Sequence, residues 1–484
     1  MKRFICISIL TVAWVAVARA QTPAPKSVGS QKITALSTAP IALSIPEVGK
    51  DVQRVALENG LIIYLYENHR LPLCNAVAML HCGSIYDSKD KSGLSGLVGT
   101  VMRTGGTTTI SGDSLNNMME FLGGSLETNI GTESGSASLS VMAKDFDLGL
   151  NLLADLLRHP AFPADKLDLA KTDVKSQIKR RNDDPNGVAG RSFANILYGD
   201  HPYGRITEWA TVKAITPADL SDYHKRFFVP NNVMIAISGD FDSKAIVEKL
   251  KSLFGDWARS TDGLPSPPAV QTAVHPGVYE VAKDINQAYI NIGQLGIKRD
   301  NPDRYAVQLM NYILGGGSFT SRLTSRVRSD EGLAYRTGSS FDINSPDFGT
   351  FNAYCQTKAA TAHKAIGIMM EEIRKIRESG VTAQELTEAR DAAINRTVFN
   401  FDTPGKIVRN LMSLEFDGWP MSFYKTYLDN YRKVTVDDIK RVAQKYLTPD
   451  SMTYVVVGKA ETYDKPLDDF GKVTVTELAE PNLE

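Results

Sequence analysis

Residues 215–240 (ITPADLSDYHKRFFVPNNVMIAISGD) align without a gap on residues 434–459 (VTVDDIKRVAQKYLTPDSMTYVVVGK), 219 positions later. Thr216 meets Thr435, Asp219 meets Asp438, Pro230 meets Pro449 and Gly239 meets Gly458. The same offset pairs Ala164 with Ala383, Leu167 with Leu386, Ala170 with Ala389 and Pro185 with Pro404. One long offset shared by separate segments implies two similar domains. A solenoid would repeat every 20–50 residues or so. Each half reads as strands, then helices, then strand–helix–strand, which predicts an α+β fold in which each half is a sheet covered by helices.

The flanking segments set the boundaries. Residues 1–20 (MKRFICISILTVAWVAVARA) read as a signal peptide, with a basic start, a short apolar stretch and a small-x-small cleavage site. The apolar run is short for a membrane span, and no later run is longer, so no stable membrane span is expected. In a Gram-negative cell the mature chain would be periplasmic. Residues 21–48 are rich in Pro, Ala, Ser and Thr and read as a flexible tether. The first domain is expected over 49–259, a Pro-rich linker over 260–275, the second domain over 276–472 and a tail over 473–484. A formal net charge of -1 on 484 residues gives no support for a nucleic-acid partner. Three cysteines follow the leader, Cys74, Cys82 and Cys355, too few and too odd in number for a disulfide scaffold. Cys74 and Cys82 would pair only across neighbouring strands; buried free thiols are expected.

Residues 92–107 (SGLSGLVGTVMRTGGT) are framed by Gly93-Leu94 and Gly105-Gly106-Thr107. The frame resembles the active-site helix of the pitrilysin (insulinase) family of zinc peptidases, which reads roughly G-L-x-H-x-x-E-H. In that motif two imidazoles one helical turn apart bind zinc, and the intervening carboxylate activates water. Here the two His positions fall on Gly96 and Thr100 and the Glu position on Gly99. The family's distal Glu ligand, counted from Thr100, falls on Ser176, while the downstream Asp184-Pro185 and His201-Pro202-Tyr203-Gly204 still match. Glycines offer no donor atom, and a lone hydroxyl is a poor zinc ligand. No intrinsic metal site and no cofactor are therefore expected. None of the seven histidines is spaced i, i+3 or i, i+4 from another.

The second half keeps more of the family pattern. Residues 314–318 (LGGGS) precede Ser321-Arg322-Leu323 and then residues 328–335 (RSDEGLAY). The glycine run is not a phosphate loop, since no Gly-Lys-Ser/Thr follows it. The resemblance implies a clam-like pair of domains around a peptide, in which Arg328 and Tyr335 reach substrate at the zinc. Arg suits forked hydrogen bonds to a carbonyl or carboxylate, and Tyr can donate to a developing oxyanion. Without the resemblance, Arg328 reads as a surface helix charge and Tyr335 as a core aromatic. Ser125, Leu126, Glu127, Thr128 and Asn129 resemble the family's edge strand, which pairs with extended substrate; the other reading is a solvated hairpin strand. Zinc positions lost beside an intact Arg/Tyr pair imply a non-catalytic subunit of a metallopeptidase heterodimer, with zinc in the partner. The alternative is a peptide-binding or structural protein with no part in catalysis.

Overall fold

The computed structural model describes residues 45–273 and 275–484. The expected signal peptide and nearly all of the expected tether lie outside the described residues. The first half contains β1 (Gln53–Ala56), β2 (Ile62–Glu67), β3 (Leu73–Leu80), β4 (Ser125–Ile130), β5 (Gly135–Met142) and β6 (Val233–Gly239). Its helices are α1 (Leu94–Gly105), α2 (Gly112–Leu122), α3 (Phe146–Arg158), α4 (Ala164–Arg180), α5 (Pro185–Tyr198), α6 (Trp209–Lys213), α7 (Pro217–Phe227) and α8 (Ser243–Phe254). The strands form one mixed sheet in the order β1-β2-β6-β3-β5-β4, with only β2 and β6 parallel.

The second half opens with β7 (Gly277–Ala282), β8 (Gln287–Leu295) and α9 (Arg304–Asn311). Then come β9 (Ala334–Phe341), β10 (Thr350–Lys358), α10 (Ala362–Ser379), α11 (Ala383–Arg396) and α12 (Pro404–Phe416). The half ends with α13 (Phe423–Lys433), α14 (Val436–Tyr446), β11 (Thr453–Gly458) and β12 (Val473–Glu477). Its sheet runs β12-β7-β11-β8-β10-β9. The 219-residue offset is carried into three dimensions. It relates the starts of α4 and α11 and of α5 and α12, and it relates two capping boxes, Thr216 with Asp219 and Thr435 with Asp438. In each box the threonine hydroxyl and the aspartate satisfy two otherwise unpaired helix N–H groups.

Alternation along β3 and β5 follows the pleat. Cys74, Ala76, Ala78 and Leu80 are buried, as are Ala137, Leu139 and Val141, while Ser136, Ser138 and Ser140 lie on the other face. The central strands β6 and β11 do not alternate and are buried almost throughout, which requires cover on both faces. The second cover comes from the opposite half. Ile407, Val408, Leu411 and Met412 of α12 pack on Val52, Tyr64 and Ala236 of the first half. Reciprocally, Val188, Ala189, Phe193 and Leu197 of α5 pack on Val281, Val455 and Val457 of the second half. Because α5 and α12 are related by the repeat, the halves exchange equivalent helices, and this is how the expected clam-like pairing is built.

The exchange is polar at one end. Arg54 donates from Nε and Nη2 to the two oxygens of Glu415, at 2.7 and 2.6 Å, and the Tyr64 hydroxyl donates to the same carboxylate at 2.5 Å. The hydrogen bond from Arg54, opposed by burial and helped by Tyr64, holds the Glu415 carboxyl below its ordinary value of 4.5. This contribution to stability is therefore present above about pH 4.5 and is lost as pH falls through the depressed folded value. Glu415→Ala should cost about 2 kcal/mol at neutral pH, since it strands the buried Tyr64 hydroxyl and an arginine. Glu415→Gln should flatten the acid limb of the stability–pH curve. Urea unfolding at several pH values reads both effects.

Two boundary expectations need correction. Residues 473–484 are not a tail: β12 pairs parallel with β7, Asn182 Nδ2 donates to Ala479 O at 3.0 Å, and Leu483 packs against the first-half core. At the end of the expected tether, Ile45 and Val48 pack with the α12 cluster. Cys74, Cys82 and Cys355 are free and buried. Cys74 lies in β3 and Cys82 two residues past its end, so no neighbouring strand brings them together. Burial pushes these two thiols up to about 11 and about 12.

Candidate functional site

Helix α1 starts at Gly93, whose φ of 102° is the left-handed conformation that favours glycine. The Asp87 carboxylate caps the helix by accepting from Gly93 N, Ser95 N and the Ser95 hydroxyl, at 3.0–3.3 Å. Burial raises Asp87 to about 6 against the pull of these hydrogen bonds. The helix buries Leu97, Val98, Val101 and Met102 in the first-half core and leaves Gly96 and Thr100 exposed, one turn apart. A Cβ at Gly96 would meet nothing within 4 Å, whereas one at Gly99 would sit 3.0 Å from the Ile130 nitrogen of β4. The Thr100 hydroxyl donates to Gly96 O at 3.0 Å, back-bonded to its own helix.

Ser176 is likewise back-bonded, to Thr172 O at 2.9 Å, and is exposed. The α4 residue beside Gly96 is instead Gln177, which lines a cavity of about 410 Å³ together with Val174, Ile178 and Gly96. Successive side chains on a helix are rotated by about 100°, so Ser176 and Gln177 face differently. The donor chemistry at Gly96, Gly99, Thr100 and Ser176 does not fit zinc. Among the described residues no group of three or more His, Cys, Asp or Glu side chains could hold a metal ion. His81 stacks on Phe416 with ring centroids 3.9 Å apart. His201 accepts from Tyr203 N at Nδ1, 3.2 Å, and donates from Nε2 to Pro268 O, 3.0 Å, tying the His-Pro-Tyr-Gly loop to the segment between the halves.

These positions make a testable repair. Gly96→His with Thr100→His should create a weak two-imidazole Zn²⁺ site. Adding Gln177→Glu should tighten it at least tenfold more than adding Ser176→Glu, because only position 177 lines the cavity beside Gly96. Competition against a chromophoric chelator measures the difference.

Strand β4 lies at the sheet edge and exposes Ser125, Glu127 and Asn129 while burying Leu126. Its far side is tied to α1. The Thr128 hydroxyl donates to Gly99 O at 2.6 Å, and Arg103 Nε donates to Leu126 O. The structure thus brings together Gly99 with Leu126 and Thr128, and one carbonyl of the edge is already occupied.

The second-half residues form their own group. Arg328 lies in a π-helical stretch, Thr324–Asp330, and a second such stretch, Tyr312–Gly316, follows α9. Such wide turns recur at functional sites. A Cβ at Gly315 would lie 2.3 Å from Ser339 N, so glycine is needed where this stretch approaches β9. Tyr335, on edge strand β9, is 83% exposed and Phe319 is 63% exposed. Between them lies the Arg328 guanidinium, 4.6 Å from the Phe319 ring centre and 5.0 Å from that of Tyr335. Among the described residues no carboxylate lies within ion-pair distance of Arg328. Arg328, Tyr335, Arg336 and Tyr354 line a cavity of about 390 Å³ that contains no acidic side chain. The seven-residue Arg/Tyr spacing located this group, but not Phe319; its only signal in the sequence is an aromatic residue directly after the glycine run. The two cavities share no lining residue, so Gly96 and Arg328 do not meet in one pocket.

Comparison with known proteins agrees with this anatomy. A family model described as insulinase (peptidase family M16) matches residues 63–210, and one described as peptidase M16 inactive domain matches residues 214–393. The non-peptidase homolog YmxG of Helicobacter pylori is 23% identical over 81% of this chain and 90% of its own length. An uncharacterized zinc protease of Streptomyces coelicolor is 24% identical over 71% and 76%. Among solved structures, a peptidase M16 inactive domain from Pseudomonas fluorescens gives a TM-score of 0.77 at 25% identity, covering 86% of this chain and 99% of that one. A Helicobacter pylori protease gives 0.75 at 18% identity over 84% and 99%, a likeness of fold. With two matched domains, the shared fold and none of the zinc-site side chains, the chain belongs to the insulinase (M16) peptidase family as a non-catalytic member.

Proposed function

We propose that this chain is the zinc-less subunit of an exported peptidase heterodimer, periplasmic in a Gram-negative cell. Arg328 and Tyr335 contact peptide bound at a partner subunit's zinc. The observation that carries this reading is the Arg328 guanidinium: held over two exposed rings and, among the described residues, without a carboxylate partner, it is a positioned cation left free for a ligand. Stacking fixes the orientation of the guanidinium fork while its N–H edge stays available. Tyr335 supplies a phenolic O–H alongside. Strand β4, with Ser125, Glu127 and Asn129 exposed, offers a sheet edge for extended peptide.

The test is cleavage of a quenched fluorescent peptide by the mature chain, by an H-x-x-E-H-bearing relative from the same genome, and by the two mixed. Turnover that requires both chains supports the proposal. Equal turnover by the relative alone rejects it and leaves the second reading, a peptide-holding protein, which the partly free β4 edge favours. Detection of the processed amino terminus in the periplasmic fraction tests export. No helix among the described residues is long and apolar enough to cross a membrane.

A further inference from the structure

The cavity beside Gly96 has a mixed lining. Leu97, Val174, Ile178 and Ile206 make it partly apolar. Arg181, Arg191 and Arg205 also line it, and no Asp or Glu does. Its volume of about 410 Å³ falls in the range of small-ligand sites.

Of these three cations, only one is directly ion-paired among the described residues. Arg181 is paired with Glu208 at 2.8 Å. The other two arginines find only neutral partners. Arg191 Nη2 donates to Arg181 O at 2.6 Å and to Asn182 Oδ1 at 3.2 Å. Arg205 donates to the carbonyls of Asp87 and Asp200, at 2.7 and 3.3 Å, and its Nε is buried with no hydrogen-bond partner. Burial and the charge of Arg181 act against the Arg191 cation, and the Asp184 carboxylate offsets them only in part. The nearby Asp87 carboxylate is committed to the start of α1. All three arginines are partly buried, and an excess of partly desolvated cations favours an anion beside it.

The internal repeat supplies a control within the same molecule. Ala393, Arg396, Thr397 and Asn400, each 219 residues after Val174, Gln177, Ile178 and Arg181, line a cavity of about 390 Å³ in the second half. Tyr427 and Tyr431 close that cavity, and Arg396 is its only cation. The hollow is thus a property of the repeated helix pair, whereas three guanidinium groups belong to the first half alone.

We propose that the first-half cavity binds an organic carboxylate bearing an apolar side chain, either as a free acid or as the C-terminal residue of a peptide. The carboxylate answers Arg191 and Arg205, the side chain lies on Leu97, Val174 and Ile178, and the open space over Gly96 admits the ligand. The position that carries an imidazole in zinc-bearing relatives becomes the mouth of an anion site. The inference does not depend on the role given to Arg328.

The test is calorimetric titration of the purified chain with N-acetyl-leucine, with acetyl-Ala-Ala-Leu bearing a free carboxylate, and with the same peptide amidated. Saturable binding of either acid is expected, with the amide at least tenfold weaker. Binding of both acids identifies the leucine carboxylate as sufficient, and binding of the peptide acid alone identifies a peptide terminus. Arg191→Gln should weaken binding about tenfold, the loss of one charge-assisted contact. Gly96→Leu should abolish it by filling the mouth. That variant should fold, because Gly96 has helical backbone and a Cβ there meets no atom within 4 Å; an unchanged melting temperature confirms it. Equal binding of acid and amide overturns the proposal. So does undiminished binding by Gly96→Leu, or the absence of saturable heat for both acids up to about 10 mM.

Discussion

Residues 45–259 produced alone will aggregate or stay unfolded, and co-production with residues 276–484 will recover a soluble complex. The reason is the helix exchange. Without α12, Val52, Tyr64 and Ala236 lose Ile407, Val408, Leu411 and Met412, and β6, which is buried on both faces, presents one of them to water. Without α5, Val455 and Val457 of β11 are bared in the same way. Each half would expose a contiguous apolar sheet face, and α5 or α12 would itself present an unpartnered apolar stripe. In the intact chain the same interface can be probed gently. Leu411→Ala, at a residue only 3% exposed, should cost about 2–5 kcal/mol in urea unfolding. A soluble, protease-resistant monomer of residues 45–259 would show that the exchange is dispensable.

If the chain acts as the proposed zinc-less subunit, Arg328→Ala will lower turnover of the mixed subunits by about 100-fold or more, in the range for removal of one preorganised charge-stabilising group. Arg328→Lys should recover only part of that activity. An ammonium keeps the charge but neither stacks flat between Phe319 and Tyr335 nor presents a fork. Tyr335→Phe should keep the ring against Arg328 and lose only the O–H, with a fall of about 10–100-fold in kcat and a smaller change in KM. Arg328 and Tyr335 are partly or largely exposed, so neither change should shift the melting temperature or the subunit stoichiometry. Size-exclusion chromatography run alongside the kinetics checks that the complex remains assembled. Wild-type turnover in both variants would remove these residues from the reaction.

The sequence made the paired architecture legible because one offset survived across helices and strands. The apolar run in β6 also marked a strand buried on both faces, but periodicity cannot say which element covers the second face. Helix α5 shows an apolar stripe in its sequence, yet nothing local tells that stripe to choose the opposite half's sheet. Strand β12 was hidden because Val473–Glu477 is short, alternating and largely exposed, and only pairing with β7 defines it. Loss of the metal set was readable residue by residue at Gly96, Gly99 and Thr100, where the motif is compact. On α4 the count across a long separation lands on Ser176, whereas the residue that lines the cavity with Gly96 is Gln177; helix rotation is invisible to a count. The seven-residue spacing anticipated that Arg328 and Tyr335 lie together in one cavity. Phe319, which completes the stack, comes from a turn that only the folded chain brings against them.

Helix exchange also sets a timetable for synthesis. The last residue of β6, Gly239, leaves the ribosome some 165 residues before Pro404, where α12 begins. At about 5–20 residues per second, that interval is roughly 8–30 s. Throughout it the first sheet lacks its second cover, although every strand of that sheet has already been made. The nascent chain would therefore present a sticky surface for far longer than its own secondary structure takes to form. Holding it unfolded, by a chaperone or by delivery through a narrow translocation channel, would let both covers arrive together.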